Sequence, residues 1–286
     1  MKNNGKMHQK QLPVMNTVLF YFLVLLAILF FIPIALVFIN SFKSRLFISS
    51  NPFDLPRGEM FAGISNYIAG LTTAGFFQAF LRSVFITLMS VALILVCTSM
   101  TSWFIARVRN KFTKGLYYLF AFSMIVPFQM VMYTMTYIVN VLNFDNIAGI
   151  NFVYLGFGAG LSVFMFTGFI KSIPMDLEEA AEIDGCNPLQ TFFLIIFPVL
   201  KPTTITVAIL NAMWIWNDYL LPYLVLGTDD KTVPVAIQIA MQGAYGATDY
   251  GGFMAMLVLA IIPIITFYLF AQRYIISGVI SGAVKG

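Results

Sequence analysis

From Thr17 to Ile39 no Asp, Glu, Lys or Arg interrupts the chain. Five further stretches read almost the same way: Val84–Ala106, Tyr117–Val139, Phe152–Ile170, Thr204–Leu226 and Phe253–Ala271. Each approaches or exceeds the roughly 20 residues that a helix needs to cross about 30 Å of hydrocarbon. A soluble globule has no way to accommodate six such runs. Only 10% of the residues are charged while 60% are apolar, against about a quarter charged in an average soluble domain, and that is too little charge to cover a water-facing surface. The expected class is an all-α integral membrane protein with six transmembrane helices, because in lipid a helix satisfies its own backbone hydrogen bonds. The runs are continuous rather than alternating, which speaks against a β-barrel. The first is too long for a cleavable signal and lacks a small-residue cleavage site.

Basic residues set the expected orientation. With the N-terminus inside, the inner segments carry Lys2, Lys6, Lys10, Arg107, Arg109, Lys111, Lys114, Lys171, Lys201, Arg273 and Lys285, and the outer ones Lys43, Arg45, Arg57, Arg82 and Lys231. That imbalance places both termini in the cytoplasm. The same role accounts for the net charge of +4 without a nucleic-acid partner. Cys97 lies in an apolar run and Cys186 in a polar loop, so no disulfide or metal framework is expected. His8, the only histidine, sits in the polar N-terminal tail, which excludes histidine catalysis and metal binding within the spans. No repeat is visible, and residues 1–286 are read as one domain.

The inner segment 171–203 differs from its surroundings. Five of the twelve acids lie between Asp176 and Asp184. Ser172 suits a cap, Pro174 a first turn, and the early acids suit a helix dipole. Gly185 suits a C-terminal stop, followed by Pro188. These signals predict a short helix outside the membrane. Leu177, Ala180, Ala181 and Asp184 recur at i, i+3, i+4 and i+7, with an apolar anchor and two small residues for close approach to a partner. Glu178, Glu179 and Glu182 meet basic groups on that partner or face water. A solvated connector between two spans is the plainer alternative.

Glu179-Ala180-Ala181, then Gly185 after three residues, Ile195 after nine more, and Phe197-Pro198 after one, resemble the EAA loop of binding-protein-dependent ABC importer permeases. Phe197 stands where that pattern usually has Leu; Pro174, Leu177 and Ile183-Asp184-Gly185 match its extended form. Ser41-Phe42-Lys43, Asn66-Tyr67, Trp216-Asn217-Asp218-Tyr219 and the ending Gln272-Arg273-Tyr274, Gly278 and Gly282–Gly286 resemble the carbohydrate branch, in particular the second permease of maltose-type importers. The resemblance implies a non-catalytic permease subunit in a bacterial or archaeal cytoplasmic membrane. It implies a second homologous permease, two ATP-binding subunits, an extracytoplasmic solute-binding protein and a carbohydrate substrate, often an oligosaccharide. ATP and Mg belong to the partner ATPase, since the chain contains no GxxxxGK[ST] loop. The positions carried over as coupling residues are Leu177, Glu179, Ala180, Ala181, Asp184 and Gly185. Lys285 and Gly286 end a tail that by the same resemblance reaches toward the ATPase, or else is merely frayed.

Asp218 is the one charged side chain within the six runs, and an acid in a membrane is costly. It pairs between subunits, or it joins Asn211, Trp214, Trp216 and Asn217 along a translocation path where aromatic faces stack on sugar rings and amides bond hydroxyls. Gln129 and Tyr133, just after Pro127, are candidates of the same kind, or pack between spans. An ion-gradient-driven transporter or channel is the competing class. It calls for paired charges and broken helices at a repeat interface, and one acid without a repeat is a poor match. An intramembrane hydrolase lacks the residues it would need.

Overall fold

The structure, a computed structural model, describes residues 5–72, 75–242 and 249–283, with side chains over 15–72, 75–242 and 249–272. The expected tail contacts Lys285 and Gly286 lie outside the described residues. Among the described residues the chain is helical throughout, with one isolated antiparallel bridge between Lys43 and Phe61. Four helices are long and apolar enough to cross a membrane singly, or up to six spans if two bent pairs each count as one.

The chain divides into two compact units, residues 1–74 with 240–259 and residues 75–239 with 260–286. The first unit holds α1 (Gly5–Asn40), α2 (Arg45–Ser50) and α3 (Ser65–Thr72). Over Met15–Asn40, α1 is apolar on every side, and its most apolar stretch buries nothing within the chain. Phe30 is 74% exposed, so this helix meets lipid or another chain.

The second unit is built on α4 (Phe76–Arg107) and α7 (Ile150–Ile170), which share the most extensive helix contact. The contact is close because small residues line it. Ser90 and Ser102 face α7 from the buried side of α4, Ser102 Oγ donating to the Val163 carbonyl at 3.3 Å, and Gly158 is buried on α7. A Cβ on Gly158 would sit 2.6 Å from Ile94 Cδ1. Ser90 Oγ also donates to Asn151 Oδ1 at 2.8 Å, the kind of interhelical bond that membrane bundles use where no water competes. Ile94, Tyr154, Phe166, Phe192 and Val207 fill the core around this pair.

Between these two helices lie α5 (Lys111–Ser123) and α6 (Phe128–Val141), and here the expected straight span Tyr117–Val139 gives way to a 108° bend. Pro127 explains the position of the break. Its ring would collide with the carbonyl four residues back, that of Ser123, where α5 ends. Pro127 itself is extended at ψ 139° and opens α6.

The expected span Thr204–Leu226 is also two helices, α10 (Lys201–Asn217) and α11 (Leu220–Leu226). Pro222 stands four residues after Asp218, and Asp218 is the extended residue, at ψ 123°, that closes α10. The elements α8 (Asp176–Ile183) and α9 (Pro188–Val199) precede α10, with α9 and α10 meeting at 78°. The chain ends in α12 (Val233–Gln242) and α13 (Tyr250–Ala283), and both run across the boundary between the units.

Candidate functional site

The segment 171–203 opens with a short, anchored helix. After α7, Ser172 Oγ donates to the Phe169 carbonyl at 2.7 Å. Ser172 therefore finishes α7 and does not cap α8, whose N-cap is Met175 with no side-chain bond. The helix begins later than the sequence suggested because Ile173, 6% exposed, is drawn into the core first. Asp176, Glu178 and Glu179 occupy the first turn, where the dipole favours anions. Gly185 stops the helix at φ +84°, a conformation that a Cβ would strain. Cys186 N–H donates to the Ala181 carbonyl at 2.9 Å and Gly185 N–H to that of Glu182 at 3.0 Å, the paired bonds of a Schellman stop.

What holds α8 in place is a cluster that spacing did not reveal. Arg107, at the last turn of α4, reaches Glu178 with Nε to Oε1 at 2.7 Å, and both side chains are nearly buried. Arg107 Nη2 also donates to the Ile173 carbonyl at 3.1 Å, and Trp103 Nε1 to Glu178 Oε2 at 3.0 Å. Glu178 thus has its charge partner within the chain. Ala181, one turn on, is 2% exposed; the small side chain lets α8 lie against its own neighbours, α9 among them. Four of the carried-over residues, Leu177, Glu179, Ala180 and Asp184, stay exposed, as does Gly185. Ile183 joins them at 86% exposure, the largest apolar exposure in the loop.

Beyond α8, Asn187 and Gln190 form a reciprocal capping box around Pro188. The helix then widens to π winding over Thr191–Ile196, directly before Pro198, whose missing N–H leaves the ladder one donor short. Phe192 at this turn is fully buried and contacts Trp103, ring centroids 5.6 Å apart. Phe197, the departure from the usual Leu, packs on Phe192 at 5.8 Å.

In the first unit, two sequence-distant motifs meet. Asn66 Nδ2 donates to the carbonyls of Ser41 and Lys43, both at 2.8 Å. The hydroxyls of Ser41 and Tyr67 lie 2.6 Å apart. Lys43 is fully buried, its ammonium donating to the carbonyls of Asn51 at 2.7 Å and Pro52 at 3.2 Å. Burial pushes its pKa below that of an ordinary lysine, partly offset by the carboxylate of Asp54. This clasp orders the connection between α1 and α3.

The path candidates are not gathered into one pocket. Asn211 is 3% exposed and donates to Ser162 Oγ at 3.2 Å and to the Val207 carbonyl; it belongs to the packing of α7 against α10. Trp214 stands edge-on to the buried Tyr154 at 5.4 Å, and Trp216 edge-on to Phe80 at 5.8 Å. Trp216 and Asn217 border a cavity of about 190 Å3 with Thr87, Pro263 and Phe267, below the usual size of a ligand pocket. Asn217 is exposed, its amide donating back to the Met213 carbonyl at 2.7 Å. Gln129 and Tyr133 are exposed on α6.

Asp218 is part of the break. Oδ1 accepts from the backbone N–H of Leu220 at 3.1 Å and of Leu221 at 3.4 Å, so from one position before the N-cap Tyr219 it answers the first two N–H groups of α11. Oδ2 accepts from the Tyr154 hydroxyl at 3.2 Å. The costly acid answers the polar backbone groups that a broken helix leaves open.

The profile of the family described as binding-protein-dependent transport system inner membrane component matches residues 67–281. The chain belongs to that family. As a member it is a multi-pass membrane permease. Among curated relatives, the probable starch degradation products transport system permease protein AmyC of Thermoanaerobacterium thermosulfurigenes is 38% identical over 263 residues, 92% of this chain and 94% of the relative. The multiple sugar-binding transport system permease protein MsmG of Streptococcus mutans is 36% identical over 90% of this chain and 93% of its own length. In fold, the permease resembles a chain from the crystal structure of a bacterial ABC transporter involved in the import of the acidic polysaccharide alginate. That likeness has a TM-score of 0.72 at 22% identity, over 93% of this chain and 97% of that one.

Proposed function

We propose that this permease is one of two transmembrane subunits of an ATP-driven carbohydrate importer. It forms half of the translocation path as a single transmembrane domain and couples to a separate ATPase through α8. The observation that carries the coupling role is the division of α8 into two faces. Glu178 and Ala181 bind it to its own chain, while Leu177, Glu179, Ala180, Ile183, Asp184 and Gly185 are left outward. An ATP-binding subunit seated on that face moves α8, and the Arg107–Glu178 bond passes the motion to α4. Orientation with both termini inside follows from the basic residues, and puts α8 on the cytoplasmic side, where ATP and Mg on the partner are available.

A sugar, most simply an oligosaccharide, is favoured by the starch-product and multiple-sugar transport systems of the relatives. The exposed Trp214 and Asn217 and the partly exposed Trp216 are this chain's contribution to the path, with Gln129 and Tyr133 at the bend of α6 and Asp218 holding the α10–α11 elbow open. A second permease supplies the other half, and an extracytoplasmic binding protein delivers substrate on the side of the Lys43 clasp. The complex resides in a bacterial or archaeal cytoplasmic membrane.

Proteoliposomes holding the assembled transporter test the reading. Uptake of labelled maltooligosaccharide is expected to require internal ATP and the binding protein, and to survive collapse of the ion gradients. Uptake that follows the gradient and ignores ATP would establish an ion-driven carrier instead.

A further inference from the structure

Two cavities follow one another along α5. The first, about 760 Å3, lies where α4 ends, α5 begins and α7 ends, and its walls carry Arg107, Arg109, Lys111, Lys114, Lys171 and Tyr117. Arg107 is committed to Glu178; among the described residues no carboxylate forms an ion pair with the other four cations. Lys171 stands over the Tyr117 ring, Nζ 5.1 Å from its centroid. The start of α5 is already closed by the reciprocal Asn110–Thr113 capping box, so the attraction for an anion comes from side-chain charge.

The second cavity, about 750 Å3, opens in the elbow between α5, α6 and α7. Its walls include Phe120, Phe122, Val126, Met135 and Phe157, and it begins at Leu119, next to Tyr118 of the first cavity. Cations, then tyrosines, then hydrocarbon thus follow in order from the start of α5 toward its C-terminal end. A free anion would use only the first cavity, and an acidic protein surface would leave the second without an occupant. A phospholipid with an anionic headgroup has this order of chemistry within one molecule.

We infer that the basic cavity binds a phosphate diester, presented as the headgroup of an anionic phospholipid whose acyl chain occupies the apolar elbow. The site depends on cations gathered at one membrane edge and not on the transport reading, so its failure would leave that reading standing.

The test is retention of added lipid by the purified permease, counted by native mass spectrometry. Dioleoyl phosphatidylglycerol is expected to outcompete dioleoyl phosphatidylcholine on the order of tenfold or more. The triple variant Arg109→Gln, Lys111→Gln, Lys114→Gln should lose that preference, and the charge-keeping Arg109→Lys, Lys111→Arg, Lys114→Arg should retain it. Excess inorganic phosphate should displace little lipid. Equal retention of the two lipids by the unaltered protein overturns the proposal, whether or not the neutral variant folds. An undiminished preference in a folded neutral variant overturns it too, and ready displacement by inorganic phosphate would assign the cavity to a free anion.

Discussion

Glu178 and Ala181 sit three residues apart and both face inward, one held by Trp103 and Arg107, the other covered almost completely. The i, i+3, i+4, i+7 series put Ala181 on the partner's side because spacing gives a helix its faces but not their neighbours. Arg107 was readable in the sequence only as a topological charge, and nothing in the loop pointed across 71 residues to it. Removing Glu178 leaves a nearly buried guanidinium unpaired, a loss on the order of 3 kcal/mol. Glu178→Ala should raise amide hydrogen exchange throughout Asp176–Ile183, while Glu178→Gln, which keeps an acceptor for Trp103, should raise it less. Ala181→Trp should uncouple transport by unseating α8, and so should also lower the melting temperature. At Lys43, complete burial predicts that an amine-reactive label in detergent modifies this residue far more slowly than the exposed Lys111. Comparable rates by peptide mapping would mean that the clasp is open.

At the scale of elements, a proline accompanies each break in the expected spans but does not by itself make one. Pro127 and Pro222 each stand four residues after a break, whereas Pro33 and Pro263 lie inside continuous helices. At the Pro222 break, Asp218 turns its carboxylate to the next helix and Tyr154 donates to it, and that combination is invisible to a scan for apolar length. The six runs were legible because apolar length is local; the bends were not, because they rest on partners far along the chain. If Asp218 serves as the acceptor for that helix's first N–H groups, Asp218→Asn should melt close to the parent protein and Asp218→Ala should lose about 0.5–2 kcal/mol. Thermal unfolding of both variants checks this. Equal destabilisation by Asn and Ala would show that the charge, not the acceptor, is what the site requires.

Over the whole molecule, the exposed apolar surface of α1 is that of a helix that meets lipid or another chain. Family membership was legible from eleven spaced positions in one loop, ten of them matching, since that loop's stop and small side chains are demanded locally. The path candidates share no such local demand: Asn211 bonds within its own chain, and Trp214, Trp216 and Asn217 meet different neighbours. Asn217→Ala should therefore alter sugar affinity without changing thermal stability, measured by uptake and melting on the same preparation.

The outward face of α8 carries the proposed coupling role, and co-purification from native membranes tests that role most directly. Tagged parent protein in mild detergent should retain a second permease and an ATP-hydrolysing subunit, identified by mass spectrometry. Ile183→Arg, which places a charge on the most exposed apolar position of the loop, should keep the second permease and lose the ATPase, with its melting temperature unchanged. An ATPase held equally by both proteins, or by neither while the two permeases stay together, would contradict the role given to α8.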